Sequence, residues 1–124
     1  MSILAIDYGT KKIGLAMTVN QIITTLPVIH NDDQLISNLL TIISHNHIEK
    51  IYVGVSQGSF AKQTQDFVSK LKSMLKLPIE TVEEAVSTIE ADEIFLKNKK
   101  KKKDYKNKID SIAAAVILRR VINY

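Results

Sequence analysis

A carboxylate at the end of an apolar strand is the feature that most constrains this chain. Asp7 follows the apolar run of residues 3–6 and precedes Tyr8 and the pair Gly9-Thr10. This pattern is typical of a buried β-strand that opens on a tight turn. An ionised side chain taken out of water needs a partner, a hydrogen-bond network or a metal ion. Because chains accept that cost mainly at functional sites, Asp7 is a candidate site residue.

Length and composition predict one globular domain over residues 1–124. With 124 residues and 45% apolar side chains, the chain can bury a core without disulfides or a structural metal. It contains no cysteine, so a disulfide framework and a cysteine-based zinc site are excluded. We see no signal peptide and no apolar run near the roughly 20 residues of a membrane span. We therefore expect a cytoplasmic protein without a membrane partner.

Positive charge is concentrated in one stretch, residues 97–108, which holds eight lysines and one aspartate. Of 17 basic and 13 acidic residues in the chain, that leaves 9 basic and 12 acidic elsewhere, so the rest is mildly acidic. A polyanion would be attracted to the lysine stretch through neutralisation of its phosphates. A solvated surface run with no partner is the alternative, and the stretch alone does not decide between them.

The spacing of apolar residues predicts a mixed α/β sheet covered by helices. We expect Pro27 to end the third strand, the motif Asn31-Asp32-Asp33 to start the first helix, and Ile109 to open the apolar face of the last helix. The predicted strands span residues 2–8, 13–17, 22–26, 50–55 and 78–82, and the predicted helices span residues 31–46, 60–77, 87–97 and 109 onward.

Acidic residues fall at the ends of several predicted elements. Asp7 ends the first strand, Glu83 and Glu84 follow the fifth, and Asp110 is expected in the first turn of the last helix, on its apolar face. Each has a structural alternative: a turn residue, a solvated loop carboxylate, or a charge favoured at a helix N-terminus. Carboxylates that converge repel each other unless cations hold them together. Such oxygen-rich sites suit Mg²⁺ or Mn²⁺.

The motifs that contain these residues resemble those of the YqgF family, RuvC-like proteins with an RNase H fold. Residues 7–16 are similar to its opening signature, Asp-x-Gly-Thr-Lys-Arg-Ile-Gly-Val-Ala. Residues 50–54 are similar to its strand ending in Gly-Leu-Pro, residues 83–88 to its Asp-Glu-Arg-Leu-Thr/Ser-Thr motif, and residues 108–114 to its Lys-x-Asp-x-x-Ala-Ala helix. The resemblance spans essentially the whole chain. It implies an α/β RNase H-like fold, a mixed five-stranded sheet in the order 3-2-1-4-5 flanked by helices.

The resemblance also implies a metal-dependent nuclease that hydrolyses phosphodiester bonds. Family members are described as nucleases that mature the 5′ end of pre-16S ribosomal RNA, and earlier as Holliday junction resolvases. The implied catalytic and metal-binding set is Asp7, Glu84 and Asp110, with Mg²⁺ or Mn²⁺ and two ions when substrate is bound. The implied supporting residues are Thr10, Glu83 and Thr88.

Nucleic acid is the implied partner, with precursor ribosomal RNA favoured over branched DNA and with a monomer or a dimer both open. Glu83-Glu84-Ala85 replaces the family's Asp-Glu-Arg, and Gly54-Val55-Ser56 replaces Gly-Leu-Pro. These departures keep open the alternative of a catalytically weak nucleic-acid-binding protein of the same fold. The earlier description of the family keeps open a second alternative, a Holliday junction resolvase acting on DNA. The expected nucleic-acid contacts are Lys11, Lys12, Lys99, Lys100, Lys101, Lys102 and Lys103.

The three histidines are expected to be surface residues. His30, His45 and His47 fall at predicted element ends and lack cysteine or acidic partners at zinc-binding spacing. An ATPase of the actin and Hsp70 group shares an Asp-x-Gly-Thr turn, but such proteins enclose their nucleotide between two domains of this kind. We therefore expect neither a zinc site nor an ATPase.

Overall fold

Five strands and three helices make up the described part of the chain, which in this computed structural model comprises residues 2–55, 60–83 and 105–122. The helix predicted at residues 87–97 lies outside these ranges. No described helix is long and apolar enough to cross a membrane. The elements are β1 (Ser2–Tyr8), β2 (Lys12–Val19), β3 (Ile22–His30), α1 (Leu35–His45), β4 (Ile48–Val55), α2 (Ala61–Met74), β5 (Ile79–Glu83) and α3 (Tyr105–Val121).

The strands form one mixed sheet in the order β3-β2-β1-β4-β5. The pairs β1–β2 and β2–β3 are antiparallel, whereas β1–β4 and β4–β5 are parallel. Hairpins connect the antiparallel strands, and α1 and α2 provide the crossovers that parallel neighbours require. The strand order implied by the family resemblance is therefore confirmed.

Strand β3 does not end at Pro27, as the sequence predicted, but continues to His30. The register of the β2–β3 pair shifts between Ile13 and Leu15, so that Gly14 of β2 faces an extra residue of β3. This is a β-bulge on an edge strand, where a proline without an N–H is tolerated. The prediction was wrong because it treated the proline as the end of any strand, whereas an edge strand can continue through it.

Two helix boundaries also differ from the prediction. Helix α2 ends at Met74 rather than Leu77, because Leu75 is already extended (φ −121°, ψ 143°) and Pro78 follows. Helix α3 begins at Tyr105, four residues before the start expected from the apolar spacing. Asp110 is therefore the sixth residue of α3 and lies in its second turn. The expected first-turn position was wrong, and with it the explanation of Asp110 as a helix N-terminal charge.

The two faces of the sheet are covered by different helices. Alternate residues of β1 point to opposite faces, so that Leu4 and Ile6 pack against α1 and α2, whereas Ala5 packs against α3. We refer to these as the α1/α2 face and the α3 face. The core of the α1/α2 face is built from large side chains that include Leu4, Ile6, Leu15, Leu39, Ile51, Phe67 and Leu71. The core of the α3 face is built around Ala5, Ala16, Ala114, Ala115, Ile117 and Leu118.

Candidate functional site

Asp7 lies on the α3 face, next to the end of β1, and its side chain is half-buried. It shares this face with Ala5, because the two positions are two residues apart on one strand. Its register partners are Gly14 on β2 and Gly54 on β4. Cross-strand partners point to the same face, so the two positions that flank Asp7 contribute no side chain. The sheet therefore places this carboxylate between two buried positions that have no side chain.

The acidic residues that follow β5 are farther from Asp7. Val82 pairs with Gly54 and so stands two strands away from Asp7, roughly 10 Å between strand axes. Glu83 pairs with Val55 and therefore points to the opposite face, where it is exposed. The supporting role of Glu83 stays a prediction, and the register does not favour it because Glu83 and Asp7 point to opposite faces of the sheet. Glu84, Thr88 and residues 99–103 lie outside the described residues.

A tight turn follows Asp7 and positions Thr10 and Lys11 at its exposed apex. Gly9 is required there, because a Cβ at this position would overlap the carbonyl oxygen of Lys12. Asn31 holds the turn from the far side: its Nδ2 donates to the carbonyl of Gly9 at 2.8 Å, and its backbone N–H donates to the carbonyl of Lys11 at 2.9 Å. Thr10 and Lys11, both predicted from sequence, are thus brought to the Asp7 end of the sheet.

Asn31 is a residue whose role the sequence did not reveal. The sequence pattern predicts that Asn31 starts the first helix, whereas α1 begins only at Leu35. The start signal instead belongs to Asp32, whose Oδ1 accepts the Gln34 N–H at 2.9 Å and whose carbonyl accepts the Leu35 N–H at 3.1 Å. The partner of Asn31 at Gly9 is 22 residues away in the chain. No local pattern could have indicated that contact.

The helical position of Asp110 continues the row of α3 that packs on the sheet. Ala114 is four residues and Ile117 seven residues further along, and their exposures are 0% and 1%. Residues at this spacing share one helical face. Both belong to the same core as Ala5 and Ala16 of the sheet. The backbone of position 110 therefore lies on the sheet-facing side of α3, while its side chain is outside what the structure describes.

An acidic cleft lies on the opposite side of β1. Tyr8 stacks on Phe67, with ring centroids 4.3 Å apart and an interplanar angle of 29°, and also on Phe60 at 5.4 Å and 17°. Tyr8 and Phe67 line an open cleft of about 520 Å³ whose charged residues are Asp32, Asp33, Asp66 and Lys70. Three carboxylates against one ammonium repel phosphate. This cleft is therefore unsuited to a nucleic-acid backbone.

The described residues contain no group of three or more histidine or acidic side chains that could hold a metal ion. Two of the three predicted ligands, Glu84 and the side chain of Asp110, are not among those residues, so the predicted metal set stays a prediction. The three histidines are exposed, as expected.

Comparison with known proteins gives a match over the whole chain. The sequence profile of the RuvX family, described as Holliday junction resolvase, matches residues 1–124. A protein of Thermosynechococcus vestitus named "Putative pre-16S rRNA nuclease" is 31% identical over 130 residues, covering 97% of this chain and 86% of that protein. A protein of the same name from Rickettsia typhi is 34% identical over 131 residues, covering 98% and 84%.

Solved structures agree on the fold. RuvC of T. thermophilus in complex with a Holliday junction substrate superposes with a TM-score of 0.63 at 14% identity, covering 99% of this chain and 97% of that one. At that identity the likeness shows the fold alone. The RNase H-like architecture and the family resemblance inferred from the motifs are both confirmed by these matches.

Proposed function

This chain belongs to the RuvX family, and we propose that it is a metal-dependent endonuclease that hydrolyses phosphodiester bonds in precursor 16S ribosomal RNA. The observation that carries the proposal is the position of Asp7, a half-buried carboxylate between Gly14 and Gly54 at the end of the central strand. The central strand fixes the backbone that carries this carboxylate, and the two flanking glycines place no side chain beside it. The supporting comparison is the shared name of curated relatives that are 31% and 34% identical.

The donor set that we propose for the cations is Asp7, Asp110 and Glu84. All three supply carboxylate oxygens, the ligands that Mg²⁺ and Mn²⁺ prefer, and the two strand positions that flank Asp7 carry no side chain. Glu84 lies outside the described residues, and its place in the set rests on the family motif at residues 83–88. When bound, a pair of divalent ions supplies an activated water and neutralises charge on the scissile phosphate.

The protein's own contribution is rigid placement and charge. Asp7 is held by β1 in the centre of the sheet, with β2 and β4 paired on either side. Asp110 is on a helix whose next turn is anchored by the buried Ala114. Lys11 and Thr10 lie exposed on the turn after Asp7, where they can contact the sugar-phosphate backbone. The lysine stretch at residues 97–108 draws the polyanion toward α3, whose first four residues it includes.

Ribosomal RNA is favoured over branched DNA by the degree of similarity. The relatives at 31% and 34% identity are named for pre-16S rRNA, whereas the RuvC bound to a Holliday junction is 14% identical. The family description nevertheless names Holliday junctions. A resolvase function is therefore the second candidate, and the two are separated by substrate.

The test is cleavage of two end-labelled substrates, an RNA that spans the 5′ end of 16S rRNA with its leader and a four-way DNA junction, with Mg²⁺, Mn²⁺ or EDTA. We expect metal-dependent cleavage of the RNA. Asp7→Asn and Asp110→Asn should each reduce the rate by at least about 100-fold, the scale for a lost transition-state contact. Asp66→Asn, an exposed aspartate on α2, is the matched control and should cleave like the wild type.

Three results would contradict the proposal in different ways. Faster cleavage of the junction than of the RNA would favour the resolvase. Binding of RNA without turnover in any metal would favour a non-catalytic nucleic-acid-binding protein. Full activity of Asp7→Asn would remove Asp7 from the mechanism.

A further inference from the structure

We propose that Asn31 is a positioning residue: its side chain fixes the turn at residues 9–12 so that the backbone N–H of Thr10 can donate to a phosphate of the substrate. The inference rests on the proposed function, since it needs a phosphate beside Asp7. It adds to that function an anion-binding donor and the residue that orients it.

Asn31 reaches the turn from a neighbouring strand. It follows His30, the last residue of β3, which pairs with Lys12 at the start of β2. From there the side chain reaches Gly9, beyond the end of β1. The bonds of 2.8 Å to Gly9 and 2.9 Å to Lys11 therefore tie the turn to the β3 side of the sheet.

The bond to Gly9 sets the direction of the next N–H. The carbonyl of Gly9 and the N–H of Thr10 belong to one planar trans peptide group, in which the C=O and N–H bonds are antiparallel. Because the carbonyl points to Asn31, the N–H of Thr10 points away from Asn31 and from the β3 edge. Backbone N–H groups presented by such turns are suitable donors for anions.

The amide of Asn31 is needed because its partner is a glycine. Glycine adopts backbone angles that other residues avoid, so the peptide between Gly9 and Thr10 can rotate when no partner holds its carbonyl. If this peptide group flipped over, the carbonyl oxygen of Gly9 would take the place of the Thr10 N–H, and a carbonyl oxygen repels phosphate. Gly9 cannot be exchanged for a stiffer residue, because a Cβ would overlap the carbonyl of Lys12.

Asn46 provides a matched control. Its Nδ2 donates to the carbonyl of Ile42 at 2.9 Å, the same kind of bond at almost the same length, at the end of α1. Asn31→Ala and Asn46→Ala each remove one amide-to-carbonyl bond. We expect similar shifts of the thermal midpoint for the two variants, so any difference in cleavage reports on the turn.

The kinetic test compares Asn31→Ala, Asn31→Asp and Asn46→Ala on the RNA substrate. A carboxylate at position 31 keeps the shape of the amide but cannot donate at neutral pH. We expect kcat/KM to fall about 10- to 100-fold for both substitutions of Asn31 and less than about 2-fold for Asn46→Ala. Wild-type kcat/KM in Asn31→Asp, or equal losses in Asn31→Ala and Asn46→Ala, would overturn the inference.

A second measurement is independent of cleavage. The backbone amide resonance of Thr10 is followed by NMR while inorganic phosphate is titrated into the wild type, Asn31→Ala and Asn46→Ala. We expect a saturable shift that Asn31→Ala loses and Asn46→Ala keeps. If the wild type cleaves nothing but this pattern is seen, the proposed nuclease function fails and the role of Asn31 stands. If the wild-type Thr10 amide does not respond, or if Asn31→Ala responds equally, the role of Asn31 fails.

Discussion

The two faces of the sheet differ in what their side chains do. On the α1/α2 face, large aliphatic and aromatic residues such as Leu71, Ile51 and Phe67 fill the space between the sheet and two helices. On the α3 face, Ala5 and Ala16 of the sheet share a core with Ala114 and Ala115 of α3. Burial of large side chains supplies most of the free energy of folding. Small side chains supply little of it, but they let a helix lie close to a sheet.

The contrast shows how one sheet can serve stability and function separately. Asp7, Gly14 and Gly54 all belong to the α3 face, and none of them has an apolar side chain. Residue Leu4, three positions before Asp7 on the same strand, is fully buried on the α1/α2 face. A residue's contribution to stability or to activity should therefore follow from its face, and substitutions on one strand or helix can test this.

The largest expected loss of stability lies on the α1/α2 face. Leu71 of α2 is fully buried, and Leu71→Ala should lower the free energy of unfolding by about 2–5 kcal/mol. Met74, on the same helix, is 48% exposed, so Met74→Ala is the control and should cost less than about 0.5 kcal/mol. Urea denaturation measures both. Equal costs would contradict the assignment of this face as the main core.

Overfilling the α3 face should affect both stability and activity. Ala16→Leu adds a large side chain between β2 and α3, which we expect to cost about 1–3 kcal/mol and to displace α3 together with position 110. Met17 is the next residue and packs on the other face, so it serves as the control. Because Met17→Leu conserves volume, it should lower the free energy of unfolding by less than about 1.5 kcal/mol. Denaturation and RNA cleavage are measured for both. Unchanged cleavage by Ala16→Leu would show that the distance of α3 from the sheet does not matter.

Two substitutions on β4, each adding one methyl group to a different face, should separate the effect on stability from the effect on activity. Gly54→Ala places a methyl group beside Asp7 and should reduce cleavage by about 10-fold, or about 1.4 kcal/mol, while stability changes by less than about 1 kcal/mol. Val53→Ile adds one methyl group to the buried side of the same strand, so it should lower stability and leave cleavage unchanged. Metal titrations of the cleavage rate compare the two. The reverse pattern would disprove the separation.

Much of this arrangement could be predicted from sequence because apolar spacing records which face each residue occupies. The first strand with Asp7 near its end and the apolar row of α3 were both visible in that way, whereas Gly14 and Gly54 were indicated by the family motifs. Pro27 misled because an edge position depends on strand order, which spacing does not record. Asp110 was assigned to the wrong turn because residues 106–108 at the start of α3 carry no apolar side chain to mark it. Asn31 was missed because its partner is distant in the chain.

The smallest expected effect on stability concerns an ion pair on the α3 face, near the β5 edge of the sheet. Lys50 pairs with Glu80 at 3.2 Å, and its Nζ lies 4.9 Å from the centre of the Tyr52 ring. Hydrogen bonds with Tyr52 and with Glu80 raise the pKa of the Lys50 ammonium above its ordinary value. A raised pKa in the folded protein means that the contribution to stability is complete below the pKa of an unfolded lysine, about 10.4. It is then lost as the pH rises through the folded value.

Glu80→Gln should therefore differ from the wild type only slightly at pH 7, because both side chains of the pair are partly exposed and screened by salt. The difference should shrink above about pH 10.4 as the wild type loses the ammonium, and it should also shrink in high salt. Glu49→Gln, an exposed glutamate on β4, is the control and should show neither trend. Urea denaturation across this pH range measures the difference. If the difference in the free energy of unfolding between wild type and Glu80→Gln persists at alkaline pH, Glu80 stabilises the edge through packing rather than charge. This part of the α3 face would then contribute to stability by packing, as the α1/α2 face does.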